Sequence, residues 1–414
     1  MRLRTLALLL LLTTTLAAQS DFYLKDGDTV VFYGDSITEQ RLYTVFTEAF
    51  VLTRFPRLRL RFVHSGWGGD RVTGGGGGPI DVRLQRDVLA FQPTVMTVML
   101  GMNDARYAPF DQATYQTFTS GYENIVKTVK KALPNIRITA IQPSPYDDVT
   151  RPPTFEGGYN GVLVRYGEYL RELARREKLN LADLNTSVVA ALRTADQNDH
   201  SVALQIIPDR VHPAQGGHML MAEALLKSWN APAVVAAVEI DAAAVAVTRS
   251  ENTTVTELAT KDGLSWIETD RALPMPIDWK DSVTRLAVRS SDFIKSLDDE
   301  PLRVTGLPSG SYTLNIDGES AGTFTAAQLA AGINLAELTT PMTAQAGEVL
   351  LLTYYHNHLR YSGRRFVSFP LTKYGFETTR QALDALEMLE RDVVAAQRAA
   401  AQPKPHRFEL RGAP

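Results

Sequence analysis

Residues 94–100 are almost continuously apolar, and the run stops at Gly101-Met102-Asn103-Asp104. A segment that short with no polar face fits a strand covered on both sides, the position strands take in a parallel sheet. The run Val30-Val31-Phe32-Tyr33 ends similarly, at Gly34-Asp35-Ser36, and Leu42, Val45, Phe46, Phe50 and Val51 then recur near helical spacing over 39–53. A second strand over 58–63 leads into the glycine-rich stretch His64-Ser65-Gly66-Trp67-Gly68-Gly69-Asp70. Further strands are expected over 136–141 and 180–184, with helices over 80–90, 111–133, 162–178 and 214–229. Strands alternating with helices predict an α/β fold, a parallel sheet with helices on both faces. Ligands gather at the carboxyl ends of such strands, and those ends carry Ser36, Gly69 and Asn103.

Two connections stand out. Gly74 to Gly78 are five consecutive glycines; glycine loses the most backbone freedom on ordering, so a mobile loop is expected. Residues 143–161 are irregular, with four prolines and Tyr146, Phe155 and Tyr159 placed to form a lid or substrate wall. After about residue 232 the composition shifts to Thr, Val, Ser and Gly. Residues 312–316 alternate before Asp317-Gly318, a hairpin signal, and 349–355 read as another strand. From 377 to 401, Leu383, Leu386, Leu389 and Val393 share one helical face, which predicts a closing amphipathic helix packed within the molecule. The expected organisation is a leader over 1–19, an α/β domain over 20–232, a β-rich accessory region over 233–375, and a helix with a tail over 376–414.

The leader is read from Met1-Arg2-Leu3-Arg4, a short apolar centre and a small-residue end, the pattern of a secretory signal peptide. Its centre is too short to span a bilayer, and no other stretch is long enough. The protein is therefore expected to be exported, periplasmic or extracellular, with cleavage between Ala17 and Ser20. The chain has no cysteine, so stability must come from core burial rather than disulfides, and no lipid is attached through a lipobox. Lys+Arg 43 against Asp+Glu 46 leaves a net charge of -3 with no basic stripe, which argues against a nucleic-acid partner.

A serine hydroxyl is a weak nucleophile unless a base, an orienting carboxylate and an oxyanion site accompany it. Asp209 and His212 are separated by two residues in a proline-bounded loop, a spacing that lets the carboxylate reach Nδ1 while the other ring nitrogen faces Ser36. A helix opening just after Ser36 points backbone N–H groups at a developing oxyanion. The Ser36 N–H is one donor, the N–H of Gly69 a second, and the Asn103 side-chain amide a third; Gly66 and Gly68 compete with Gly69. Ser36 could instead be a helix N-cap. His218 reads as a packed or capping histidine, and a zinc site from Asp209, His212 and His218 is disfavoured.

These blocks resemble the GDSL, or SGNH, hydrolase family of serine esterases and acyl hydrolases. Gly34-Asp35-Ser36-Ile37-Thr38 is similar to its first block, Gly69 its second, Gly101-Met102-Asn103-Asp104 its third and Asp209-Arg210-Val211-His212 its fifth, in the family's order. Ile37 stands where the family has Leu. The resemblance spans roughly residues 28–230. It implies a flavodoxin-like α/β/α sandwich, Ser36 as nucleophile, His212 supported by Asp209, oxyanion donors Ser36, Gly69 and Asn103, and no cofactor or metal.

As analogy, an exported member with a β-rich appendage suggests an O-acetyl esterase acting on polysaccharide, its partner being a small-molecule or polysaccharide ester. The alternatives are a lipase or thioesterase of the same family, a metal-dependent phosphoesterase, and a non-catalytic carbohydrate-binding protein. An α/β-hydrolase is excluded, because Ser36 lacks the Gly-x-Ser-x-Gly elbow.

Overall fold

The computed structural model describes residues 22–261 and 263–413; the expected leader lies outside them. Five parallel strands, β1 (Thr29–Gly34), β2 (Arg61–Gly66), β3 (Val95–Met99), β4 (Arg137–Ile141) and β5 (Asn180–Ala182), form one sheet in the order β2-β1-β3-β4-β5. That is the flavodoxin-like order, whose switch point lies between the first and third strands. Gly34 pairs with Gly66 on one side and Met99 on the other, so three strands end level and their loops meet. Val30 to Tyr33 and Val95, Met96 and Val98 are fully buried, as a central parallel strand requires.

Helices α1 (Ser36–Glu39) and α2 (Leu42–Arg54) follow β1. The single helix expected over 39–53 is divided because Arg41 takes a left-handed φ of 60°, which lays its guanidinium 3.9 Å from the Tyr361 ring centroid. Helices α3 (Ile80–Asp87), α4 (Gln112–Ala132), α5 (Gly158–Glu177), α6 (Leu184–Asn198) and α7 (Gln215–Ser228) complete the layers. α6 was not anticipated, although Asp183 caps it by accepting from Thr186 N–H and Val188, Ala191, Leu192 and Ala195 form its buried face.

The five glycines at 74–78 form a short hairpin rather than a mobile loop: Gly74–Gly75 pairs with Gly78–Pro79. Close approach explains them. A Cβ on Gly74 would fall 2.3 Å from Gly78 O, and one on Gly77 would strike Arg83 and Trp67.

Beyond the α/β domain, Thr253–Ala259, Leu264–Asp270, Pro405–Gly412, Ser311–Ile316 and Glu319–Thr325 form a five-stranded antiparallel sheet in that order. Asp317 and Gly318, with φ of 52° and 87°, make the expected hairpin turn. A four-stranded sheet holds Ile333–Asn334, Pro301–Thr305, Ala237–Asp241 and Ala246–Glu251. Trp266 and Phe408 stack at the centre of this second core. The two regions meet at Arg54, fully buried, which donates to the carbonyls of Pro232, Ala233 and Leu297 and faces Asp298 at 3.5 Å.

Residues 349–355 are helical, not a strand. They belong to α8 (Pro341–Ser362), which Thr340 caps with Pro341 in the first turn. Its buried residues Met342, Ala346, Val349, Thr353, His356 and Asn357 repeat at helical spacing, so burial of that face overrides the β propensity of the apolar run. A π-helical turn, Gly363–Ser368, leads toward α9 (Glu377–Ala400), which returns alongside α8. The pair packs on α2: buried Glu48 accepts from Asn357 (3.1 Å) and Gln397 (3.3 Å) and bonds His64 (2.9 Å). Among the described residues no helix is long and apolar enough to cross a membrane.

Candidate active site

β1 delivers the chain to the switch point through Gly34, where a Cβ would lie 2.2 Å from Thr38 Oγ1 and 2.7 Å from Met99 O. Asp35, in extended conformation, caps α1 by accepting from Ile37 N–H at 3.0 Å. The capping task thus falls to Asp35, and Ser36 opens the helix with a backbone N–H that has no partner within it.

The loop before α7 turns at Arg210, φ 70°. Asp209 Oδ1 accepts from the backbone N–H of His212 (2.6 Å) and of Val211 (2.9 Å), while Oδ2 lies 2.7 Å from His212 Nδ1. His212 Nε2 lies 2.8 Å from Ser36 Oγ. A carboxylate against Nδ1 assigns the proton there and leaves Nε2 as an acceptor for the serine hydroxyl. Burial works to raise the Asp209 pKa, but the His212 and Val211 amides and the imidazole outweigh it and hold the carboxyl below its ordinary value. Sequence reasoning placed Ser36, Asp209 and His212 in one site, and the structure brings all three within hydrogen-bond reach.

The three glycines of the second block separate cleanly. A Cβ on Gly66 would strike the Glu39 backbone at 2.1 Å. Gly68 N–H donates to Glu39 Oε2 at 2.8 Å. Gly69, with φ 73°, has open space around its Cα and no hydrogen bond from its N–H among the described residues. Asn103 Nδ2 donates one hydrogen to Asp70 O at 3.1 Å, and its Oδ1 accepts from Tyr107 OH at 3.1 Å; the second Nδ2 hydrogen is uncommitted.

Behind these groups lie buried carboxyls. Burial pushes Asp35 up to about 7, helped by Asp104 and Asp70, and pushes Asp104 up to about 6 against the pull of the Val72 amide. Burial also raises Asp70 despite Arg83, whose Nε donates to it at 2.6 Å.

Beside Asn103 stands a wall of tyrosines. Tyr107 stacks on Tyr159 at 5.0 Å, and Tyr146 meets Tyr159 edge-on at 5.2 Å. Tyr159 is buried and anchored through its OH to Met102 O, whereas Tyr107 is 46% exposed. Of the aromatic residues expected to line the long loop, Tyr146 joins this wall, and Tyr159 does so from the first turn of α5.

His218 accepts from Tyr43 N–H at Nδ1 (3.3 Å) and bonds Gln40 Oε1 through Nε2 (2.9 Å). Burial pushes its pKa down to about 3, and it serves as packing beneath α1. Sequence reasoning missed Glu39, which carried no signal beyond its place three residues after Ser36, and Trp67, Tyr361, Arg364 and Arg365, which line an open cleft of about 720 Å³ behind the 66–70 loop.

Residues 32–220 match the model of the GDSL-like lipase/acylhydrolase family. An acetylxylan esterase from Geobacillus stearothermophilus is 24% identical over 221 residues, 49% of this chain and 93% of that protein. A solved structure described as a gut microbial diltiazem-metabolizing enzyme is 29% identical, with a TM-score of 0.81, covering 94% of this chain and 98% of its own; this likeness extends through the β-rich region and the helical pair. Residues 32–220 thus carry a GDSL-like lipase/acylhydrolase domain, and the chain is a carboxylic ester hydrolase.

Proposed function

We propose that this protein is an exported serine esterase that removes O-acetyl groups from a carbohydrate through an acyl-enzyme on Ser36. Residues 20–232 form the catalytic unit, and 233–375 with the closing helix support it. The observation that carries the reading is the chain Asp209 Oδ2, His212 Nδ1, His212 Nε2, Ser36 Oγ, with links of 2.7 and 2.8 Å. His212 takes the hydroxyl proton as Oγ attacks the ester carbonyl. The oxyanion meets the N–H groups of Ser36 and Gly69 and the free Asn103 amide hydrogen. His212 then protonates the leaving alcohol, and a water activated by the same ring releases the acid and restores Ser36.

The acetyl and carbohydrate assignments draw on the likeness to the acetylxylan esterase and on the exposed Tyr107 face, a surface on which a sugar ring can stack. A second reading, an ester of a small aromatic molecule, is favoured by the full-length likeness to the diltiazem-metabolizing enzyme. One panel separates them: acetate release from acetylated xylan, from xylo-oligosaccharides and from p-nitrophenyl esters of rising chain length, and turnover of diltiazem. The proposal predicts that the acetylated saccharides lead, that chelators have no effect, and that Ser36→Ala is inactive. Preference for long acyl chains overturns the acyl assignment, and preference for diltiazem the carbohydrate one.

A further inference from the structure

We propose that Glu39 and Arg365 are positioning residues of the oxyanion site, so that the C-terminal helical pair, 300 residues away in sequence, completes the hydrolase centre. The inference rests on the reading of Gly69 as an oxyanion donor. The 66–70 loop is held on both of its exposed sides. Its backbone is tied at Gly68, whose N–H donates to Glu39 Oε2 at 2.8 Å, while the other oxygen of that carboxylate receives Arg365 Nη2 at 2.9 Å and Tyr361 OH at 3.2 Å. Its side chain is tied at Trp67: the Arg365 guanidinium lies 3.4 Å from the indole centroid, and Phe369 meets it edge-on at 4.8 Å. Arg365 therefore grips backbone and side chain at once. It does so from the π-helical turn Gly363–Ser368, a deviation from α-helix of the kind that re-aims side chains at functional sites.

Charge supplies a second reason for the pair. A Cβ placed on Gly68 would lie 2.9 Å from Glu39 Oε2 and 4.0 Å from Ser36 Cβ, so the Glu39 carboxylate lies within about 7 Å of the Ser36 side chain. Unpaired, that carboxylate would oppose the developing charge. Arg365 neutralises it while leaving its hydrogen bond to Gly68 intact. Glu39 fixes the loop, and Arg365 makes Glu39 tolerable beside the reaction.

The distinguishing test uses three variants: Arg365→Met, Glu39→Gln, and the double variant, measured for kcat and KM on an accepted acetyl ester and for the rate of fluorophosphonate inactivation, with melting temperature alongside. Arg365→Met leaves a bare carboxylate next to the oxyanion and is expected to lower kcat and inactivation rate by ~10- to ~10²-fold, the scale of a misplaced or opposed catalytic group, with KM within about twofold of wild type. Glu39→Gln retains an acceptor for Gly68 N–H and is expected to be milder. The double variant removes the opposing charge, so its kcat should exceed that of Arg365→Met although it carries one more change. Equal kcat in Arg365→Met and wild type overturns the inference, as does a double variant no faster than Arg365→Met. If wild type itself fails to react with fluorophosphonate, or Ser36→Ala keeps its activity, the reading of the site fails instead.

Discussion

Replacing Asp209 by Asn tests the site at its most sensitive atom. Oδ1 of Asp209 accepts two backbone N–H groups, from His212 at 2.6 Å and Val211 at 2.9 Å. In the amide those two bonds hold the carbonyl oxygen in place and turn the NH2 group toward His212 Nδ1. Facing a donor, Nδ1 must accept, so the ring proton moves to Nε2, 2.8 Å from Ser36 Oγ, where the base is needed. Flipping the amide to restore the right tautomer places NH2 against two N–H groups and loses both bonds, about 1–3 kcal/mol each. A total of about 2–6 kcal/mol corresponds to ~30- to ~10⁴-fold in the competent population, in line with the ~10⁴ known for this change in other triads. The expected result is a kcat reduced by ~10²–10⁴ on an acetyl ester, a parallel fall in fluorophosphonate inactivation rate, and an unchanged KM. Melting should move little, because both backbone bonds persist and the side chain is 55% exposed. Turnover within threefold of wild type refutes the assignment of Asp209 as the group that fixes the tautomer.

Asn103→Ala, which removes the side-chain donor, should lower kcat by ~10²–10³ with the fold intact; unaltered turnover on an accepted ester dismisses Asn103 as a donor. Tyr107→Phe keeps the ring and removes only the hydroxyl that orients Asn103, so it should cost up to ~10-fold in kcat, about the 0.5–1.5 kcal/mol of one hydrogen bond; an unchanged kcat would show that Asn103 is oriented without it. Arg54→Met strips the cation from buried Asp298 and should destabilise by about 3–5 kcal/mol, read by urea denaturation; wild-type stability would show that the junction does not depend on it. Burial, with Asp292, pushes the Glu223 carboxyl up to about 8 despite Lys227, so folding favours its protonated form and stability falls as pH rises from about 4.5 toward 8. Glu223→Gln should therefore gain melting temperature over wild type at pH 8.5 relative to pH 5, and parallel curves would contradict this.

Much of the α/β domain was legible because its strands are buried on both faces and leave nearly continuous apolar runs: residues 30–33 and 95–99 are of this kind. The grouping of Ser36, Asp209 and His212 was legible because Ser36 follows the end of a buried strand and Asp209 and His212 share one short loop. Elsewhere tertiary contact decided. The glycines at 74–78 read as a mobile loop, yet at Gly74, Gly75 and Gly77 the facing strand, Asp70, Trp67 and Arg83 leave no room for a Cβ. Residues 349–355 read as a strand because Val349 to Leu352 form a short apolar run, and the helical period emerges only when Ala346, Thr353 and Asn357 are seen to share the buried face. The choice among Gly66, Gly68 and Gly69 turned on a hydrogen bond to Glu39, and the hold of Arg365 on that carboxylate joins residues more than 300 positions apart, a pairing that no local pattern announces.

The most direct test of the central claim is to map where a fluorophosphonate attaches. Wild-type protein should gain one adduct, localised by peptide mass spectrometry to Ser36, with acetyl-ester hydrolysis lost in proportion to labelling, and Ser36→Ala should gain none. Labelling at another residue, or full hydrolysis after Ser36 is modified, would contradict the account.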